Sequence, residues 1–261
     1  MKRVTYIHGT EPSEQERLAA LNRLTNAPFV RFLGVTKGAR VLEVGSGLGI
    51  LAAEVAAAAE DVHVVGVEGA AAQLAAAVSH PRVEYVLGDA HTLRFPDASF
   101  DLVYGRYILE HVSDPERVVA EMHRVARVGA RVAVCENDVS LMRVDPPCPA
   151  FDEVWRAFQR HQHALGGDAL VGRRLFRLFR HVGFSAIELS VQPDVHWQGS
   201  PGFPGWIHNL IGNIESARAG LVRSGLCDQM QIEAAVDELT ALVEHPDASS
   251  QFVWNRALAI R

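Results

Sequence analysis

Cysteine is scarce in this chain, three residues in 261. Cys135, Cys148 and Cys227 have no metal-ligand spacing and leave one thiol over after any pairing, which excludes a disulfide framework. Reduced thiols in a cytosolic protein are the expectation. Excess positive charge is missing too. The formal net charge is −6, whereas a general nucleic-acid binder presents a basic face. The nearest basic cluster, Arg173, Arg174, Arg177 and Arg180, surrounds Leu175, Leu178 and Phe179 at helical spacing and reads as a solvated helix face. No apolar run approaches the ~20 residues that cross a bilayer, and residues 1–10 carry no apolar core of a signal peptide. A metal motif, a Ser-His-Asp pattern and a glycine loop ending in Lys-Ser/Thr are likewise absent. What remains, 48% hydrophobic and 21% charged residues, suits one α/β domain with or without a cap.

One stretch organises the rest: Val41-Leu42-Glu43-Val44-Gly45-Ser46-Gly47-Leu48-Gly49. Residues 40–44 read as a short buried strand, and Leu48, Leu51, Ala52 and Val55 then recur at helical spacing. Three alternate glycines between them permit unusual backbone angles and let a ligand reach the main chain. The open N–H groups of the helix's first turn face that ligand. This is a nucleotide-type site in a first βα unit. A dinucleotide fingerprint places its third glycine where Ile50 stands. Here the third glycine comes one residue early, and an acid, Glu43, precedes the first glycine by two positions.

The alternation continues along the chain. Residues 11–24 have helical composition, and a second short helix over 27–33 ends at Gly34, both lying over the ligand mouth or along the sheet's flank. A buried strand over 62–67 ends in Glu68, placed to accept hydrogen bonds from a ribose diol; the alternative is a solvated turn glutamate. A helix over 70–79 follows, then a third strand over 83–87 closed by Gly88-Asp89-Ala90. A fourth strand spans 100–104, and a helical region from Gly105 to His111 is restarted by Asp114-Pro115. A fifth strand spans 131–135 after the Val128-Gly129 break. Five strands alternating with helices imply a parallel sheet covered on both faces, with ligands at the carboxyl ends of the strands. Gly45, Gly47, Glu68, Asp89 and Gly105 all fall at those ends. Beyond a stiff connection at Pro146, Pro147 and Pro149 come an aromatic helical stripe (Phe151, Val154, Trp155, Phe158), a helix over 171–182, a strand over 184–191, a bend over 199–205, two amphipathic helices and a last strand over 252–260.

The segments VLEVGSGLG, VVGVEG, Gly88-Asp89-Ala90 and FDLVYGRYILEHVSDPERVVAEMHRVARVGARVAV resemble the class I S-adenosylmethionine-dependent methyltransferases, in their small-molecule (natural-product and ubiquinone-biosynthesis-like) branch. The resemblance is close over residues 40–136 and looser over 170–261. It implies a Rossmann-like α/β fold: a seven-stranded, mostly parallel sheet with helices on both faces, the last strand antiparallel, and a helical cap. One folding unit would comprise an N-terminal helical lid segment (1–34), the S-adenosylmethionine-binding core (35–140) and the rest of the core with its inserted cap (141–261). The cofactor-binding residues it implies are Glu43, Gly45, Ser46, Gly47, Glu68, Gly69, Gln73, Asp89, Ala90, Gly105 and Arg106, with Asp89 accepting from the adenine amino group. The acceptor pocket would draw on Tyr6, Asn137, Trp155, Trp197, Trp206 and Asn209. The implied activity is methyl transfer to an O, N or C atom of a small, partly apolar metabolite of secondary metabolism. The enzyme would be a cytoplasmic monomer or homodimer with no nucleic-acid or membrane partner.

Methyl transfer from a sulfonium is an in-line displacement with a donor already activated, so the protein has mainly to position the acceptor and exclude water. Glu136-Asn137-Asp138 at the end of strand five could hold magnesium, but hydrogen bonding or turn capping is preferred and no metal is expected. His161 and His163 stand two apart and share no helix face. His111 is expected to pack structurally. As groups to orient or deprotonate the acceptor, Asp138 comes first, followed by His8 and His196. Two rivals are a nicotinamide-dependent oxidoreductase and a catalytically silent binding module. Ile50 and the lack of a Tyr-x-x-x-Lys pair argue against the first, and the intact Gly45, Gly47, Glu68 and Asp89 set argues against the second.

Overall fold

A computed structural model describes residues 12–261. The chain opens with helix α1 (Pro12–Leu33), one continuous helix where two are expected, with Pro28 inside it. Proline removes one bond from the helical ladder. The helix nevertheless continues across it, because Phe29 and Leu33 are fully buried and Phe29 packs its ring edge-on to Tyr104 at 6.0 Å.

The core then alternates as β1 (Arg40–Val44), α2 (Ile50–Ala57), β2 (His63–Glu68), α3 (Ala71–Ala75), β3 (Val83–Leu87), β4 (Phe100–Arg106), α4 (Pro115–Val125) and β5 (Ala126–Glu136). Helix α4 begins as its sequence dictates: Asp114 accepts from Arg117 N (3.0 Å), Pro115 occupies the first turn, and Val118, Val119, Met122 and Val125 are buried. Several boundaries differ from expectation, among them the end of α3 at Ala75 rather than at residue 79. Strand β4 runs on through Gly105 and Arg106, and only a 3-10 turn at Leu109–His111 follows it. Strand β5 begins five residues earlier, at Ala126, and passes through Gly129 at φ 81.

The second half supplies a short strand β6 (Arg143–Asp145), α5 (Pro149–Ala164), α6 (Leu175–Val182), β7 (Ala186–Trp197), α7 (Phe203–Arg223), α8 (Gln229–Glu244) and β8 (Ser249–Ile260). The sheet order is β3-β2-β1-β4-β5-β8-β6, with β7 on the other side of β8. Strands β1 to β5 are parallel, and β8 runs antiparallel to β5, β6 and β7. The short β6 is an eighth strand beyond the seven expected. It pairs with β8 at Ser249–Gln251, beyond the stretch of β8 that pairs with β5.

Successive side chains of a strand face opposite ways, and β8 uses both directions. Ala257 and Ala259 join the core beneath α4 and α6, while Phe252, Trp254 and Leu258 join the other core with α1, α2, α5, α7 and α8. The cap helices α5, α7 and α8 thus stand on the same strand that completes the sheet. Asp228 caps α8 in a reciprocal box with Gln231 (2.8 and 2.9 Å). Leu239, fully buried on α8, lies in the core that α8 shares with α5 and α7. Leu239→Ala is expected to cost about 2–5 kcal/mol, read from the urea midpoint. A loss under about 0.5 kcal/mol would mean a cap packed independently of the cooperative core.

Candidate active site

At the carboxyl ends of β1, β2, β4 and β5 the sheet opens into a cavity of about 1370 Å³, roofed by α1, α5 and α7. Its first half is built by the glycine loop. Gly45 and Ser46 donate their N–H groups to the Val67 carbonyl at the end of β2 (2.8 and 3.0 Å), which folds the loop back across the neighbouring strand. The fold-back holds Gly45, Gly47 and Gly49 at φ 79, 52 and 69, a region costly for any residue with a Cβ. At Gly47 nothing lies within 4 Å of where a Cβ would stand, so that side of the loop is open.

Glu68 lies under the loop, accepting from Gly47 N and Ala70 N (both 2.8 Å). Glu43 is 2% exposed and lines the cavity. Burial pushes its carboxyl up to about 8, with the Arg106 charge acting the other way. Glu43 Oε2, Ser46 Oγ and Gln73 Oε1 are buried without hydrogen-bond partners among the described residues. Such unsatisfied groups are costly to bury. Together with the open side of Gly47 they fit a polar, nucleoside-bearing ligand. Gly69, Asp89 and Ala90 complete this half. The Asp89 carboxylate accepts from His91 N (2.9 Å) and lies 2.7 Å from His91 Nδ1, contacts that hold it below the usual range.

Arg106 borders the cavity, but its guanidinium donates to Asn22 (2.7 Å), Asn26 (2.6 Å) and Thr25 (3.1 Å), all on α1. It staples that helix over the end of β4. Gly105 does not line the cavity: a Cβ there would lie 2.9 Å from Ile108 Cγ2 and 3.3 Å from the Val44 carbonyl oxygen. Its smallness serves packing under the loop.

The second half is walled by the cap. Trp155 stacks on Phe158 (5.1 Å, 7° between planes) and donates Nε1–H to the Val139 carbonyl (2.8 Å). Trp206 donates to Ser250 Oγ (2.8 Å) and meets Trp254 edge-on. Asn209 accepts from Arg17 (2.7 Å), and Asn137 lines the same space.

Three nominated residues are not brought to the cavity. Asp138 ends in the 3-10 turn after β5, where its carboxylate accepts from Arg173 (2.7 Å) and Ser140 Oγ (2.6 Å). That is turn capping plus an ion pair, with no face on the cavity. His196 lies behind the wall, stacked on Trp206 and 2.7 Å from Asp194. Trp197 is 56% exposed on the outer side of β7. Tyr6 and His8 lie outside the described residues.

Glu110 and His111 occupy the 3-10 turn after β4, which Glu136 fixes by accepting from Ile108 N and Leu109 N (3.1 and 3.0 Å). Glu110 is 3% exposed, accepts from Asn137 Nδ2 and from Gln162 Nε2 (3.1 Å), and is pushed up to about 7 by burial. Burial pushes His111 down to about 4, leaving it neutral. The signal was an acid inside the apolar run Ile108-Leu109-Glu110-His111-Val112.

A family model described as a methyltransferase domain matches residues 42–134. O-methyltransferase rstn1 of Aspergillus nomiae is 31% identical over 165 residues, covering 55% of this chain and 72% of that protein. A 37.1 kDa protein in a Streptomyces fradiae transposon is 39% identical over 106 residues, 40% of this chain, and the match spans only 30% of that protein. Among solved structures, an Anabaena variabilis protein assigned as a methyltransferase of an antibiotic biosynthesis pathway shares the fold. Its TM-score is 0.64 at 20% identity, covering 92% of this chain and 99% of that one. A Haemonchus contortus phosphoethanolamine N-methyltransferase, solved with S-adenosyl-L-methionine, shares it at TM-score 0.54 and 20% identity, covering 95% and 52%. The chain belongs to the class I S-adenosylmethionine-dependent methyltransferases.

The raised carboxyl of Glu43 makes a stability prediction. Its folded form holds a proton up to about pH 8, against 4.5 for the free group. The folded state therefore binds more protons between those values, and stability falls as pH rises through that window. Glu43→Gln removes the dependence. Its stability relative to the parent should grow by up to about 1.4 kcal/mol per pH unit from pH 5 to 8 in parallel urea titrations. A constant difference would mean that Glu43 is ionised in the fold.

Proposed function

We propose that this enzyme methylates a small, partly apolar metabolite, with S-adenosylmethionine in the glycine-loop half of the cavity and the acceptor in the aromatic half. One observation carries this reading: a single cavity joins the loop, Glu68 and Asp89 to the walls formed by Trp155, Phe158, Trp206, Phe252 and Trp254. Its volume exceeds the roughly 300–1,000 Å³ usual for one ligand. When bound, the cofactor supplies a methyl group already activated on a sulfonium.

The chain's own residues do the rest. Glu68 offers its two oxygens to the ribose hydroxyls, and Asp89 accepts from the adenine amino group. The open side of Gly47 allows close approach of the ligand to the main chain, and Glu43 Oε2 and Ser46 Oγ gain partners. In the cap half, the aromatic walls exclude water and hold the apolar part of the acceptor, while Asn137 and Asn209 orient its polar part. Positioning is the main device, worth several powers of ten when the reacting atoms are held in line. The name of the Aspergillus relative supports oxygen as the acceptor atom. A net charge of −6 disfavours nucleic acid. Among the described residues no helix is long and apolar enough to cross a membrane; a cytoplasmic monomer or homodimer is part of the same proposal.

Titration of the purified chain with S-adenosylhomocysteine and NAD tests the reading, with binding of the first and none of the second expected. Glu68→Ala should weaken S-adenosylhomocysteine by about 10- to 150-fold, the loss of a hydrogen bond to a charged acceptor. Gly47→Val should be more severe, since it strains φ 52 and fills the approach. Unchanged affinity in a folded Glu68→Ala protein would remove Glu68 from the site.

A further inference from the structure

The cap half of the cavity contains one buried acid that the positioning scheme leaves without a task. Glu110 borders the cavity, and its two oxygens each receive one donor, Asn137 from the end of β5 and Gln162 from α5. An ionised carboxylate can accept about four hydrogen bonds, so those donors aim the group and leave capacity on both oxygens. The turn that carries it is itself fixed by Glu136. This is an acid held on three sides at the border of the cavity.

The geometry points to Glu110 as the group that receives the acceptor's proton, and to an acidic hydroxyl on a flat apolar ring, a phenol or an enol, as the acceptor. This rests on the methyl-transfer reading above. The flat ring follows from the walls, where the parallel Trp155–Phe158 pair faces the same space as Trp206 and Trp254. The acidic hydroxyl follows from the base. A carboxylate titrating at about 7 is matched to a phenol near 10 far better than to an aliphatic alcohol. In the transfer, the acceptor O–H bond breaks and its proton goes to Glu110. The electron pair left on oxygen forms the O–CH₃ bond, and the C–S pair stays on sulfur. The positive charge given up by the sulfonium is balanced by the carboxylate, which ends as a neutral acid.

Four other ionisable groups act on Glu110, and Glu14 pairs with one of them. His111 Nε2 lies 3.7 Å from Glu110 Oε1 on the same turn. Glu136 approaches from β5, itself pushed well up by burial and by Glu110. Glu14 and Arg17 on α1 are ion-paired at 2.7 Å, and Arg17 draws the Glu110 carboxyl down. Asp168 raises it and donates its N–H to the Glu110 carbonyl (2.9 Å). His111 is a weaker base, held near 4 by burial.

The probes are 2-naphthol, its more acidic 6-cyano derivative, and 2-decalol as the aliphatic control. The first measurement needs no turnover. The enzyme saturated with S-adenosylhomocysteine is titrated with 2-naphthol by calorimetry at pH 6.5 in two buffers of different ionisation enthalpy. Binding should release roughly half to one proton, because it selects ionised Glu110. Glu110→Gln should release none while keeping its S-adenosylhomocysteine affinity within twofold. With S-adenosylmethionine, Glu110→Gln should lower turnover of 2-naphthol by about 10²–10⁴ and abolish the acid limb of the kcat/KM profile near pH 7. The loss should shrink for the cyano derivative, which a merely structural glutamate would not bring about. Where Glu110→Gln fails to fold, proton release by the parent enzyme decides alone. Zero proton release, equal methylation of 2-decalol, a loss under tenfold, or no naphthol binding in an enzyme that holds S-adenosylhomocysteine would each overturn the proposal. Failure to bind S-adenosylhomocysteine would withdraw the methyl-transfer reading and this inference with it.

Discussion

Two hydrogen bonds from Gly45 and Ser46 to the Val67 carbonyl set the constraint on which the site depends. They pull the turn after β1 sideways over the end of β2, and only left-handed backbone angles can follow that path. Glycine supplies those angles without a Cβ penalty. The fold-back brings Gly47 N to Glu68, beside buried polar atoms of Glu43, Ser46 and Gln73 that lack hydrogen-bond partners among the described residues. Ligand geometry at this end is therefore a property of the backbone. The side chains add only acceptors.

Much of the core was legible because its signals are local. Period-two apolar runs and Asp114-Pro115 at a helix start each state their structure within a few residues. The misplaced site residues share one physical cause, the side-chain direction at the end of a strand. Asp138 and Glu110 are both acids just past parallel strands, and nothing local in the sequence says which one turns inward. The structure decides it through long-range partners: Arg173 draws Asp138 outward, whereas Asn137 and Gln162 meet Glu110. Trp197 fails in the same way, since a one-residue step along β7 moves a side chain from cap to solvent. The single helix α1 depends on burial of Phe29 and Leu33 against elements distant in sequence, which outweighs the cost of Pro28 inside it.

Electrostatics divides the cavity as clearly as shape does. Glu43 and Glu110 stand in different halves, and burial raises both. A fold that maximised its own stability would replace such acids with apolar groups or pair them fully. Keeping them is a cost tolerated where a site needs groups close to a protonation change. Arg106, which could have neutralised Glu43, is instead turned toward three side chains of α1.

Strand β8 couples these halves in time as well as in space. Its partners β5, β6 and β7 all precede it in the chain, and non-local pairing of this kind is slow because loop closure must come before any contact is gained. Phe252 and Trp254, which wall the acceptor half, arrive on that same strand. A nascent chain stalled before residue 249 would already carry the glycine loop, both raised acids and the Trp155–Phe158 pair. It could fold around a nucleoside and still have no closed chamber in which to use it.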